Sequence, residues 1–144
     1  MERKETWRED LQIVILKWHK RPFAWGTADC CVFCGECVEA MTGEDLVAPF
    51  LGYTTRQGAT DVLQRVGKGS LMETLREVLG EPVAPHTART GDVMFKMFKE
   101  KKVGFAIGIC VDGYGVFLGE DRRTGVARFN NIPKSECGKA FRVG

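Results

Sequence analysis

Hydrophobic residues recur at helical spacing in the first part of the chain. Leu11 lies four positions after Trp7 and Trp18 lies seven after Leu11, a spacing that predicts an amphipathic helix over 5–20. Ser70 and Glu73 have the spacing of a capping box, so another helix is expected over 71–79. Further helices are predicted over about 30–41 and over 56–66, with an irregular segment over 46–54.

After Pro82 and Pro85 the pattern changes to short apolar runs over 92–98, 103–111, 115–118, 125–129 and 140–143. Lysine clusters and the pairs Asp112-Gly113 and Thr124-Gly125 separate these runs, which predicts antiparallel strands joined by tight turns. Because helices come first and strands second, we expect an α+β fold, in one domain over residues 1–144.

The composition of the chain is that of a globular protein and does not predict a nucleic-acid-binding or membrane-spanning protein. The chain has 144 residues, of which 44% are hydrophobic and 28% charged, as in a globular protein with its own core. A net charge of +2, with bases scattered among acids, does not predict nucleic-acid binding. No apolar run approaches the ~18 residues of a membrane span, and no signal peptide is apparent, so we expect a reducing cytoplasm and free thiols.

Four of the six cysteines follow closely on Asp29: Cys30, Cys31, Cys34 and Cys37. The spacing of the last three resembles the start of a ferredoxin run and leaves an iron–sulfur or zinc site as one interpretation. A helix, however, would project these cysteines to one side and prevent them from surrounding a metal. We therefore expect no cofactor, and we expect Cys34 and Cys37 to pack in the core.

Cys30 differs from the other three because it falls in the first turn of the predicted helix, which Asp29 or Thr27 would cap. Backbone N–H groups and the helix dipole stabilise a thiolate there, so Cys30 is the candidate nucleophile of the chain. Cys31 points elsewhere and is assigned no role. An ionised Asp29 beside Cys30 would oppose formation of the thiolate.

These residues resemble the NlpC-type peptidoglycan cysteine peptidases, which have a papain-like fold. The closer resemblance is to a branch of that family encoded in tailed phages and prophages, and it extends from Arg21 to Val143. The similar motifs are Arg21-Pro22-Phe23, Trp25-Gly26, Asp29-Cys30-Cys31, Phe33, Met41-Thr42-Gly43, Asp45, Tyr53, Thr55, Thr90-Gly91-Asp92-Val93, Ala106-Ile107-Gly108-Ile109 and Ala140-Phe141-Arg142-Val143.

The resemblance implies a helix that carries Cys30 and packs on a small C-terminal antiparallel sheet. In active relatives a histidine on the second strand accepts the thiol proton, and the matching position here is Ala106. Alanine cannot accept a proton, so the scaffold is expected to be catalytically degenerate. His86, in a loop before the first strand, is the remaining candidate base, whereas His19 is interpreted as a residue at a helix C-terminus.

The leading functional hypothesis is a phage or prophage tail protein, in the tail tip or in tail assembly. Its expected partners are other tail proteins and peptidoglycan, and its expected place is the virion tail or the host cytoplasm during assembly. The residues expected in its binding cleft are Trp25, Asp29, Tyr53 and Ala106. An active peptidoglycan endopeptidase using Cys30, and a protein whose cysteines ligate iron–sulfur or zinc, are the two alternatives.

Overall fold

The computed structural model describes residues 1–19, 21–97, 106–120, 123–124 and 127–144. Within these ranges the chain forms four α-helices followed by one five-stranded antiparallel sheet. The predicted α+β class is therefore confirmed. The helices precede the strands along the chain, as the change of pattern after Pro82 indicates.

The helices lie close to their predicted positions. Their bounds are α1 Trp7–Trp18, α2 Cys30–Thr42, α3 Arg56–Arg65 and α4 Leu71–Leu79. Helix α1 begins two residues later than predicted, and Lys20, at the end of that prediction, lies outside the described residues. The segment predicted as irregular contains a short 3₁₀ helix at Ala48–Phe50, and two others lie at Pro85–Thr87 and Lys134–Glu136.

Side-chain caps fix where three of the helices begin. Asp29 caps α2 by accepting the Val32 N–H at 3.0 Å. Thr55 and Ser70 cap α3 and α4 in the same way, at 3.0 and 3.2 Å. These bonds satisfy backbone donors that have no partner inside the helix. The starts of these helices are thus encoded by single local residues.

The strands are β1 Val93–Lys96, β2 Ala106–Val111, β3 Tyr114–Glu120, β4 Ala127–Pro133 and β5 Lys139–Phe141. They pair in the order β4-β3-β2-β1-β5, so the last strand returns to the edge beside the first. Asp112 and Gly113 form the tight turn between β2 and β3, with Asp112 at a φ of 53°. Residues 98, 103–105 and 125–126 of the predicted strands, and with them Gly125 of the predicted turn, lie outside the described part of the chain.

The two faces of the sheet are covered differently. Helix α2 packs on β2 and β3, with α1 against it, and Ile107 and Ile109 belong to the main core on this side. Ala106 and Cys110 alternate with them and belong to a smaller cluster with Met94. Because neighbouring strand residues point to opposite faces, that cluster lies on the face away from α2.

Candidate functional site

Cys30 is the first residue of α2 and is half-buried. A tight loop precedes α2. In it, Ala24 and Ala28 form an isolated bridge around Gly26, whose φ is +86°. A Cβ at Gly26 would collide with the carbonyl oxygen of Tyr53. Glycine is therefore required there, both for its positive φ and for this close approach.

Asp29 is 1% exposed and anchors the helix start. Its Oδ2 accepts the Gly26 N–H at 2.8 Å and the Tyr53 hydroxyl at 2.6 Å, while its Oδ1 accepts the Val32 N–H. Burial, and then this bond to Asp29, raise the pKa of the Tyr53 hydroxyl. Three donors thus hold the carboxylate in place, which makes Asp29 a positioning residue for Cys30.

The pKa of the Cys30 thiol is lowered. The main cause is a hydrogen bond from the Cys31 thiol, and the backbone N–H groups of Ile107 and of Cys30 itself act in the same direction. Burial and the Asp29 carboxylate act against these bonds. This direction agrees with the position of Cys30 at the start of α2, where backbone N–H groups and the helix dipole favour a thiolate.

Burial raises the pKa of Cys34 and Cys37 on the same helix, and that of Cys110 and Cys137 in the sheet region. The pKa of Cys31 is also raised, chiefly because its thiol donates a hydrogen bond to Cys30. Cys30 is therefore the cysteine whose thiol pKa is lowered, whereas the pKa values of the other five thiols are raised.

The Ile107 N–H is available to Cys30 because of the way β2 pairs. The Cys110 N–H donates to Asp92 O, next to β1, at 2.8 Å. Since amides alternate in direction along a strand, the Ile107 N–H points toward β3. The β2–β3 ladder, however, ends at the pair Gly108 and Phe117. The Ile107 N–H therefore lies beyond the last β2–β3 pair, and it acts to lower the pKa of Cys30.

The structure does not place the Ala106 side chain beside Cys30. Ala106 belongs to the cluster on the far face of the sheet, and the group of β2 that lowers the pKa of Cys30 is the neighbouring Ile107 N–H. A backbone donor has no side-chain signature, so sequence reasoning missed it. The resemblance implies a histidine on this strand that accepts the thiol proton. The structure instead has the Ile107 N–H, which is a donor.

The two histidines lie elsewhere in the fold. His86 is exposed in the Pro85–Thr87 turn, which packs with β5 and with the Lys134–Glu136 turn. The His19 ring stands edge-on to Phe129, with centroids 4.9 Å apart. In the described part of the chain, no hydrogen bond joins either imidazole to Cys30. The structure thus does not bring the candidate base His86 to the thiol.

The other candidate residues divide between the loop and the core. Trp25 is half-buried and packs edge-on against Phe23, with ring centroids 5.3 Å apart. Cys34 and Cys37 are 3% and 0% exposed and belong to the main core, as their helical stripe predicts. Among the described residues, no group of three or more His, Cys, Asp or Glu side chains is placed to hold a metal ion.

No helix in the described ranges combines the length and the apolar character that crossing a membrane requires. No curated protein matches the chain. A family profile does match it, over residues 2–143, and its description is "Domain of unknown function (DUF6950)". The chain therefore belongs, along nearly its whole length, to the DUF6950 domain family.

Proposed function

We propose that this protein is an NlpC-type, papain-like scaffold that retains the nucleophile position at Cys30 but lacks the general base. In this proposal it acts in a phage or prophage tail, in the tail tip or in its assembly, as a binding module. The observation that carries the proposal is the setting of Cys30, which begins a helix that Asp29 caps and that packs on an antiparallel sheet.

Hydrolysis needs more than an acidic thiol. The thiolate can attack a carbonyl carbon, but the leaving amine must receive a proton, and water must lose one to release the acyl group. General acid–base help typically contributes about 10²–10⁴ in rate. Asp29 is held by three donors, and His86 lies in an exposed turn that packs with β5 and with the Lys134–Glu136 turn. The residues around Cys30 therefore favour binding or a single acylation over turnover.

The resemblance to phage and prophage proteins supports the tail context, and the ancestral ligand of such a scaffold is peptidoglycan. Trp25 is half-buried in the loop directly before the helix that carries Cys30. A half-buried tryptophan offers a partner both apolar area and a polar N–H, which is why this residue type is enriched at interfaces. In this proposal the loop that contains Trp25 contacts peptidoglycan, and other tail proteins hold the domain in place.

One observation favours a second candidate, an active endopeptidase that uses Cys30: the lowered pKa of that thiol. A base would then have to come from a partner chain, since His86 is not brought to the site.

To separate the two candidates, purified protein is incubated with peptidoglycan fragments, and released stem peptides are measured by mass spectrometry. We expect no release at high protein concentration. Cleavage that is lost in Cys30→Ser but kept in Cys31→Ser would establish the enzyme instead.

The tail assignment has its own test, independent of catalysis. Tail particles are purified from induced cells that carry the gene, and their peptides are quantified by mass spectrometry. We expect the protein in mature tails or in tail-assembly intermediates at a fixed ratio to the other tail proteins. Its absence from both fractions, while it is abundant in the lysate, would contradict the assignment.

A further inference from the structure

A cavity of about 110 Å³ lies between α2 and the α3–α4 pair. Its inner wall consists of buried residues, among them Cys34, Val38 and Leu75. Half-buried residues such as Phe50 and Ala59 line it as well. The cavity therefore extends from the main core toward the protein surface.

The polar side chains on the cavity wall are already satisfied. The Thr74 hydroxyl donates to Ser70 O at 2.6 Å and accepts the Lys68 N–H at 3.1 Å. The Tyr53 hydroxyl donates to Asp29. Among the described residues, no buried oxygen or nitrogen of a cavity-lining side chain is left without a partner. Water needs two to four polar partners in such a place, so the cavity does not suit water.

The shape of the cavity depends on one close approach. A Cβ at Gly35, in the middle of α2, would stand 2.5 Å from Cγ2 of Val47 and 2.9 Å from its Cβ. Glycine thus allows the segment around Val47 to lie directly on α2 and to close one side of the cavity. On this side the wall of the cavity is the Val47 side chain, packed on the backbone of α2 at Gly35.

We propose that this cavity is a binding site for a small apolar molecule, the size of one aromatic ring or a short alkyl chain. Dry cavities of similar size lined by aliphatic and aromatic side chains bind benzene. Cys30 does not line this cavity, although Cys31 and Ile107, which lower the pKa of the Cys30 thiol, do. The inference goes beyond the proposed tail function and does not rest on it.

The probe is benzene, with phenol as the matched polar compound. Benzene should raise the Tm of the wild-type protein saturably, by several degrees at about 100 times its Kd. Phenol at equal concentration should raise it less, because its hydroxyl would lose water without gaining a partner. Methyl NMR of the wild type provides a second measurement: resonances of Val47, Leu75 and Ile107 should shift, and that of Ile13 should not.

The matched variants are Ala59→Leu, which places three carbons in the cavity, and Thr60→Leu on the exposed side of the same helix. We expect Ala59→Leu to weaken benzene binding at least tenfold and Thr60→Leu to leave it unchanged. The proposal is overturned if the wild type shows neither a saturable rise in Tm nor shifts of the lining methyl groups. It is also overturned if Ala59→Leu binds benzene as tightly as Thr60→Leu does.

Discussion

At the scale of single residues, the surroundings of each cysteine set its chemistry. Cys30 and Cys34 stand one helical turn apart, yet the pKa of the first is lowered and that of the second is raised. Three donors lower the pKa of Cys30: the Cys31 thiol, the Ile107 N–H and the N–H of Cys30 itself. A helix N-terminus alone would have predicted the direction for Cys30 but not the groups responsible.

The role of Cys31 can be isolated by two substitutions. Cys31→Ala removes the thiol that donates to Cys30, so the pKa of Cys30 should rise, whereas Cys31→Ser keeps a donor at that position and should preserve more of the lowering. The rate of iodoacetamide alkylation at Cys30 is followed by mass spectrometry from pH 5 to pH 9. We expect the midpoint to lie higher in Cys31→Ala than in Cys31→Ser. Equal midpoints in both variants and the wild type would show that Cys31 does not set this pKa.

The two tyrosines offer a matched pair for the bond that holds Asp29. Tyr53→Phe removes the hydroxyl that donates to the buried carboxylate at 2.6 Å, and it should lower the free energy of unfolding by about 1–2 kcal/mol. Tyr114→Phe changes an exposed side chain and should alter it by less than about 0.5 kcal/mol. Urea denaturation measures both. Equal effects of the two substitutions would rule out an anchoring role for Tyr53.

At the scale of elements, local signals predicted the helices better than the sheet. Ser70 caps α4 at the predicted position, because capping depends on residues only three apart. The face that Ala106 occupies depends on strand register, where a shift of one residue reverses every side chain. The contact between Cys30 and the Ile107 N–H joins distant parts of the chain through a backbone group. Because every residue except proline has a backbone N–H, the sequence does not indicate which of them lies near Cys30.

Buried thiols make the stability of α2 depend on pH. The pKa values of Cys34 and Cys37 are raised in the folded protein, chiefly by burial, above those of unfolded thiols. Their contribution is fully present below the unfolded pKa of about 8.5 and is lost as pH rises above it toward the folded pKa. We therefore expect the urea midpoint to fall between pH 8 and pH 10, and to fall less in Cys34→Ala. A midpoint independent of pH over this range would contradict the raised values.

Gly35 gives a second prediction for α2. Alanine normally favours a helix over glycine by about 1 kcal/mol. Here the new Cβ would displace Val47, and overpacking of this kind costs about 1–3 kcal/mol. Gly35→Ala should therefore destabilise the protein or leave it unchanged, whereas the exposed Glu39→Ala in the same helix should be nearly neutral. A gain of 1 kcal/mol or so in Gly35→Ala, read from urea denaturation, would show that the close approach is absent.

At the scale of the whole molecule, one buried carboxylate joins the N-terminus to the C-terminus. Asp92 is 0% exposed and accepts from Arg3 at 3.0 Å and from the Val143 N–H at 3.1 Å. Arg3 also donates to Val143 O at 2.6 Å and to Thr90 O at 2.7 Å. The sequence identified Asp92 only as part of a strand-start motif, because nothing local indicates that Arg3 is its partner.

Arg3→Met should lower the free energy of unfolding by about 3 kcal/mol, since removing one partner leaves the buried Asp92 carboxylate undercompensated. Both Arg3 and Arg8 stack on the Trp7 ring, at 4.3 and 4.4 Å from its centroid. Arg8→Met is therefore the control, because Arg8 is exposed. We expect that control to cost less than about 1 kcal/mol. If the two variants unfold at the same urea concentration, the Arg3–Asp92 pair does not hold the termini together.

Cys30 is expected to accept an acyl group but to lack the base that would release it, so p-nitrophenyl acetate should give burst kinetics. The thiolate attacks the ester carbonyl, a thioester forms at Cys30, and p-nitrophenolate leaves. We predict release of about one equivalent of p-nitrophenolate per chain, a stable acetyl group on Cys30 by mass spectrometry, and no burst in Cys30→Ser. Sustained release over many equivalents that disappears in Cys30→Ser would contradict the account, because it requires a base that completes the catalytic cycle.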